Sequence, residues 1–171
     1  MERFAYERIV SALVALSPLP VVFEAFPGAA KGYCSYVEQR IVIQPGMSQV
    51  QTIKTLVHEV AHAKLHSPLD ILEETRPDRS TREVEAESVA YVVCQHFGID
   101  TADYSFAYVA DWSRGKDLEV LKASIGRIHA LAAELIAGIE GPEKELQKAP
   151  SHRQRKAGRT ARRRRQDAPA R

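Results

Sequence analysis

Cysteine is scarce, with two in 171 residues, and that scarcity excludes two architectures. Cys34 and Cys94 form no close CxxC pair and are too few for a disulfide framework, so a reducing cytoplasm is the default setting. Long apolar runs are also missing. The longest near the start, Ile9 to Leu16, falls far short of the roughly 20 residues that a bilayer demands. No basic segment followed by a cleavage site marks a signal peptide, and no membrane partner is expected. No pattern specifies an oligomeric state.

What is present suits one soluble domain. At 44% hydrophobic and 27% charged, the chain is rich enough for a real core. Its formal net charge of +2 hides an asymmetry: residues 1–141 carry 13 Lys/Arg against 19 Asp/Glu, whereas residues 142–171 carry 11 against 3. Gly141-Pro142 divides the two parts. The second, poor in apolar residues and ending in Arg162-Arg163-Arg164-Arg165, reads as a disordered basic tail.

The stretch His58-Glu59-Val60-Ala61-His62 is an instance of HExxH. On a helix, residues four apart share a face, so both imidazoles can hold one zinc ion. Glu59 then stands beside the metal, where it can take a proton from an acidified water and pass it to a leaving group. The surroundings favour a helix over about 49–66: Ser48 and Gln51 have capping-box spacing, Val50, Ile53, Val57, Val60 and Ala61 recur at helical intervals, and Pro68 forbids continuation. His66 extends the four-residue series but drifts about 40° per step, so it is read as a residue at the rim of the site or behind a ligand, with a solvated helix end as the expected case.

A helix over residues 2–16 and short strands at 21–23, 32–37 and 40–44 precede this element. A second helix is expected from about Ser80 to Phe97, ended by Gly98. It supplies candidates for the third protein ligand that a catalytic zinc needs if one position is to stay open. Glu83 and Glu87 share a face, with Glu85 about 200° from Glu83. Glu83 is the expected ligand and Glu87 the residue that orients a histidine. Glu87 and Glu85 stay open as alternatives, because Ser80 and Glu83 also have capping-box spacing. A third helix over 100–112 aligns Tyr104, Tyr108 and Trp112. Tyr108 or Tyr104 could steady an oxyanion, although most aromatic stripes are core. A last helix, 118–139, repeats Leu118, Leu121, Ile125, Ile128, Ala132, Leu135 and Ile139 as a packing seam.

The segments TIKTLVHEVAHAKLH and RPDRSTREVEAESVAYVVCQHFGIDTADYSFAYVADW resemble the metallopeptidase-like domain of LtrC-like and ArdC-type antirestriction proteins of mobile elements. More distantly they resemble the ImmA/IrrE metallopeptidases. The resemblance spans about residues 20–140. It implies an α+β zincin-like domain of gluzincin type, mostly helical with a small N-terminal sheet. It also implies a zinc site at His58, His62 and a helix-borne glutamate, and a role with mobile genetic elements. The expected function is a zinc metallopeptidase acting on a protein or peptide. The alternative is an antirestriction or DNA-associated protein whose zinc site is not catalytic.

The tail yields a test of any nucleic-acid role. Lys/Arg contacts to phosphate release condensed counterions and read no bases, so binding through residues 153–165 is expected to be weak, sequence-independent and steeply salt-dependent. Fluorescence anisotropy with labelled DNA at about 50 and about 200 mM salt checks this. Truncation after Gly141 should abolish the signal, and binding that survives it would assign the DNA site to the folded domain.

Overall fold

In the computed structural model, which describes residues 3–69, 71–101 and 106–141, one helix precedes three short strands and four further helices follow them. They are α1 (Arg3–Leu16), β1 (Val21–Phe23), β2 (Gly32–Ser35), β3 (Arg40–Ile43), α2 (Gln49–Leu65), α3 (Arg79–His96), α4 (Phe106–Ser113) and α5 (Leu118–Glu140), with a 3-10 turn at Glu73–Thr75. The fold is mixed α+β, mostly helical with one small sheet. No described helix is long and apolar enough to cross a membrane. The basic tail expected at 142–171 lies outside the described residues.

β3 is central in the order β1-β3-β2, parallel to β1 and antiparallel to β2. Its Ile41, Val42 and Ile43 are all buried, as an uninterrupted apolar run in a middle strand should be. β2 lies at an edge and stops at Ser35, short of the expected Val37. The reason is the turn. A two-residue Glu38-Gln39 hairpin would need positive φ at Glu38 in either favoured turn type, I′ or II′. The chain instead spends four residues, Tyr36 to Gln39, with only Gln39 at positive φ (53°) and Ser35 Oγ accepting from the Glu38 N–H.

α2 begins where Ser48 Oγ accepts from the Gln51 N–H at 3.2 Å. The Gln51 side chain does not complete a box; it donates to Thr55 and accepts from Lys31. Ile53, Leu56, Val57, Val60 and Ala61 are fully buried, and α2 packs against α1, the sheet and α3. On α5, Leu131, Ala132, Leu135 and Ile139 join the core. Leu118 and Ile125 are exposed, so the expected seam is buried only in its C-terminal half.

Close approach of β2 to α2 sets one wall of the cleft described below. A methyl group on Gly32 would lie 2.7 Å from Thr55 Cγ2, 3.1 Å from Ile43 Cδ1 and 3.1 Å from the Val42 carbonyl oxygen. Overpacking of this kind costs about 1–3 kcal/mol. Gly32→Ala is therefore expected to lower the unfolding free energy by that amount, read as a lower urea midpoint, and an unchanged midpoint would mean that β2 can shift freely from α2.

Candidate metal centre

Helical spacing stacks His58 over His62, with their Nε2 atoms 3.1 Å apart. From α3, Glu83 Oε2 comes to 3.6 Å from His58 Nε2 and 3.7 Å from His62 Nε2. One ligand atom from each of the three lies within 4.8 Å of the others. Ligand atoms around a tetrahedral zinc ion at the usual bond lengths stand about 3.4 Å apart, so this donor set fits such an ion. Three protein ligands leave a fourth position open.

Glu83 is free to face the histidines because the helix does not start where expected. Asp78, not Ser80, is the N-cap: its Oδ1 accepts from the Thr81 N–H at 2.7 Å, and Lys116 and Ser80 also donate to its carboxylate. These bonds hold the Asp78 carboxyl far below the usual range. No capping duty falls on Glu83. Glu87, one turn on, takes a different partner: its Oε2 lies 3.3 Å from His58 Nδ1, and Lys54 Nζ donates to Oε1 at 2.8 Å.

Protonation follows from these contacts. Burial pulls the His58 imidazolium down, but hydrogen bonds to Glu83 and Glu87 outweigh it and raise His58 to about 9. With Nδ1 directed at Glu87 and Nε2 at Glu83 and His62, both ring nitrogens donate in the metal-free protein. His62 is lowered, first by burial and then by its cationic neighbour, against the pull of Glu83. Glu59 is 7% exposed, and burial raises its carboxyl to about 7. His58 opposes that rise, Glu83 adds to it, and the Cys34 backbone N–H opposes it. A carboxylate so placed accepts and returns a proton near neutrality.

The group opens into a cleft of about 700 Å³, walled by Gly32, Tyr33 and Cys34 of β2 opposite α2 and α3. Five cations, Lys31, Lys54, Arg76, Arg79 and Arg82, line it together with Glu59, Glu83 and Glu87. Tyr36, which sequence reasoning passed over, donates its hydroxyl to the His62 carbonyl at 2.7 Å, and Arg76 lies 5.9 Å from its ring centroid. The oxyanion role expected of Tyr104 or Tyr108 falls outside the described residues: Tyr104 is in 102–105, and only the backbone of Tyr108 is described. Trp112, on the same expected stripe, donates to Thr81 Oγ1 at 3.0 Å.

His66 departs most from expectation. It is fully buried, with Nδ1 3.0 Å from His62 Nδ1 and Nε2 3.0 Å from Glu85 Oε2. Glu85 is fully buried too, turned from the cleft toward Arg127 of α5. The solvated helix end does not form because the Arg76 guanidinium satisfies the His66 carbonyl. The four-residue step from His62 was the available signal for His66; nothing local pointed to Arg127.

Residues 18–107, from the strands through the start of α4, match the IrrE N-terminal-like domain, a metallopeptidase-like family. The chain belongs to this family. This is the ImmA/IrrE part of the expected kinship. The IrrE-like chain is also 37% identical over 110 residues to an uncharacterized protein of Bacillus anthracis, pXO2-81, an alignment covering 64% of this chain and 18% of that protein. The IrrE-like chain thus spans under a fifth of the length of the curated relative it matches. No solved structure matches it.

The charge on His58 generates a prediction. A metal needs the Nε2 lone pair, so below pH 9 binding must displace a proton. Apparent zinc affinity should therefore rise about tenfold per pH unit toward 9 and level off above it. Calorimetry in buffers of different ionisation enthalpy measures the released proton, and pH-independent affinity between 6 and 9 would contradict the assignment.

Proposed function

We propose that this domain is a zinc-dependent metallopeptidase with a zincin-type fold, holding its metal through His58, His62 and Glu83. The observation that carries the reading is the convergence of two imidazoles and a carboxylate in an open cleft with Glu59 beside them. Zinc, when bound there, polarises a carbonyl oxygen and makes water more acidic. Glu59 takes the proton of the attacking water and delivers it to the departing amine nitrogen, a task suited to a carboxyl raised to about 7. Glu87 holds the His58 ring through Nδ1, and that bond, with Lys54 beside it, keeps Glu87 ionised against burial.

Substrate alignment falls to β2. An edge strand along a cleft leaves backbone groups open to pair with an extended peptide. The cations around the cleft favour acidic segments in a domain that is otherwise acidic. A cytoplasmic setting and an association with mobile genetic elements belong to the same proposal. They draw on the free Cys34 and Cys94, on the resemblance to antirestriction proteins and on the pXO2 designation of the relative. The alternative, a DNA-associated protein with a non-catalytic zinc, would call for a fourth protein ligand. Among the described residues the cluster has three.

A degenerate peptide library read by mass spectrometry tests the reading. Zinc-loaded wild type should cleave, and Glu59→Gln should retain zinc while losing about 10²–10⁴ in rate. Equal cleavage by the Glu59→Gln protein would remove Glu59 from the chemistry, and a variant that sheds zinc would make Glu59 a ligand.

A further inference from the structure

Behind His62, on the side away from the cleft, runs a hydrogen-bond chain, buried at His66 and Glu85, whose direction is fixed at its half-exposed far end. Arg127 Nε lies 3.1 Å from Glu85 Oε1 and 3.2 Å from Oε2, and its terminal nitrogen lies 2.5 Å from Oε1 and 3.3 Å from Ser124 Oγ. A guanidinium only donates, so Glu85 accepts as a carboxylate. Glu85 Oε2 then offers only lone pairs to His66 Nε2 at 3.0 Å, and that nitrogen must carry the proton. The Nδ1 atoms of His62 and His66 share one proton, and of the three rings in the series only His58 faces carboxylates at both nitrogens, so the extra proton belongs to His58 and His66 keeps only the one that Glu85 holds on Nε2. A neutral imidazole protonated at Nε2 presents a lone pair at Nδ1, facing His62 Nδ1 at 3.0 Å.

We propose that Glu85 and Arg127, acting through His66, set the tautomer of His62: its proton is held on Nδ1 and its Nε2 lone pair is kept toward the metal position. The three are positioning residues, and their role rests on reading His58, His62 and Glu83 as the metal centre. Two features make the chain a lock. His66 and Glu85 are wholly buried, so water cannot stand in for a missing partner. The His66 backbone is pinned as well, its N–H donating to the His62 carbonyl at 2.9 Å and its carbonyl accepting from Arg76. The anchor lies on α5, beyond residues 18–107 that match the family, so α5 reaches the metal centre through its charge.

Glu85→Gln reverses the chain with little change of shape. Arg127 still demands the side-chain oxygen, which leaves the amide NH2 facing His66 Nε2. His66 must then accept there and donate from Nδ1, so His62 is forced to carry its proton on Nε2, where zinc should bind. Two measurements on the full-length chain test this. Long-range ¹H–¹⁵N spectra of the metal-free protein should report His62 as the Nδ1–H tautomer in wild type and as Nε2–H in Glu85→Gln. Competition with a chromophoric chelator should show zinc bound about 10- to 100-fold more weakly by the variant. A wild-type His62 protonated on Nε2 would overturn the proposal even if the variant failed to fold, and so would unchanged zinc affinity in a folded Glu85→Gln protein. Absence of zinc binding by wild type would instead overturn the metal-centre reading, while the ring-nitrogen spectrum still decided the relay.

Discussion

The site depends on a column of three imidazoles on one helix. Four-residue spacing sets His58, His62 and His66 in series along α2, with ring centroids 4.7 and 5.1 Å apart. The column can stand only because α3 answers it on both sides. Glu83 and Glu87, one turn apart, meet the upper rings in the cleft, and Glu85, turned about 200° away, meets the lowest ring in the interior. A single helix thus supplies carboxylates to the open and the closed ends of the same column.

Burying those carboxylates has an energetic consequence. Burial works against the charge of Glu85, and His66 and Arg127 outweigh it to hold the carboxyl below its ordinary range. Removing Arg127 would leave the wholly buried Glu85 carboxylate without its cation, which is strongly destabilising. The polar chain is therefore part of what holds α5 in place, alongside the core residues Leu131, Ala132, Leu135 and Ile139. Glu59 lies at the other extreme. Its partners are too few to hold it ionised as firmly, and its raised carboxyl suits proton exchange more than structural pairing.

What was legible in the sequence was what short-range geometry dictates. Capping by Ser48, the breaks at prolines and the 3.6-residue period located α2 and the facing pair Glu83 and Glu87. Three short apolar segments were enough to expect a small sheet, though not the four-residue turn that shortens β2. The illegible part was tertiary. Asp78 won the cap of α3 from Ser80 because its carboxylate also gathers Lys116, a residue 38 positions away. His66 looked like a solvated end because no local pattern announces that Arg76 satisfies its carbonyl or that Arg127 neutralises Glu85. Even spacing on α5 could not tell that Leu118 and Ile125 face water while Leu135 is buried.

If two imidazoles and one carboxylate hold the metal and leave a position open, X-ray absorption on the zinc-loaded protein reads it directly. The first shell should be nitrogen and oxygen alone, two histidine nitrogens and two oxygens, at about 2.0–2.2 Å. A sulfur scatterer at about 2.3 Å would place Cys34 of the cleft wall on the metal and contradict the account, as would a shell filled by four protein ligands.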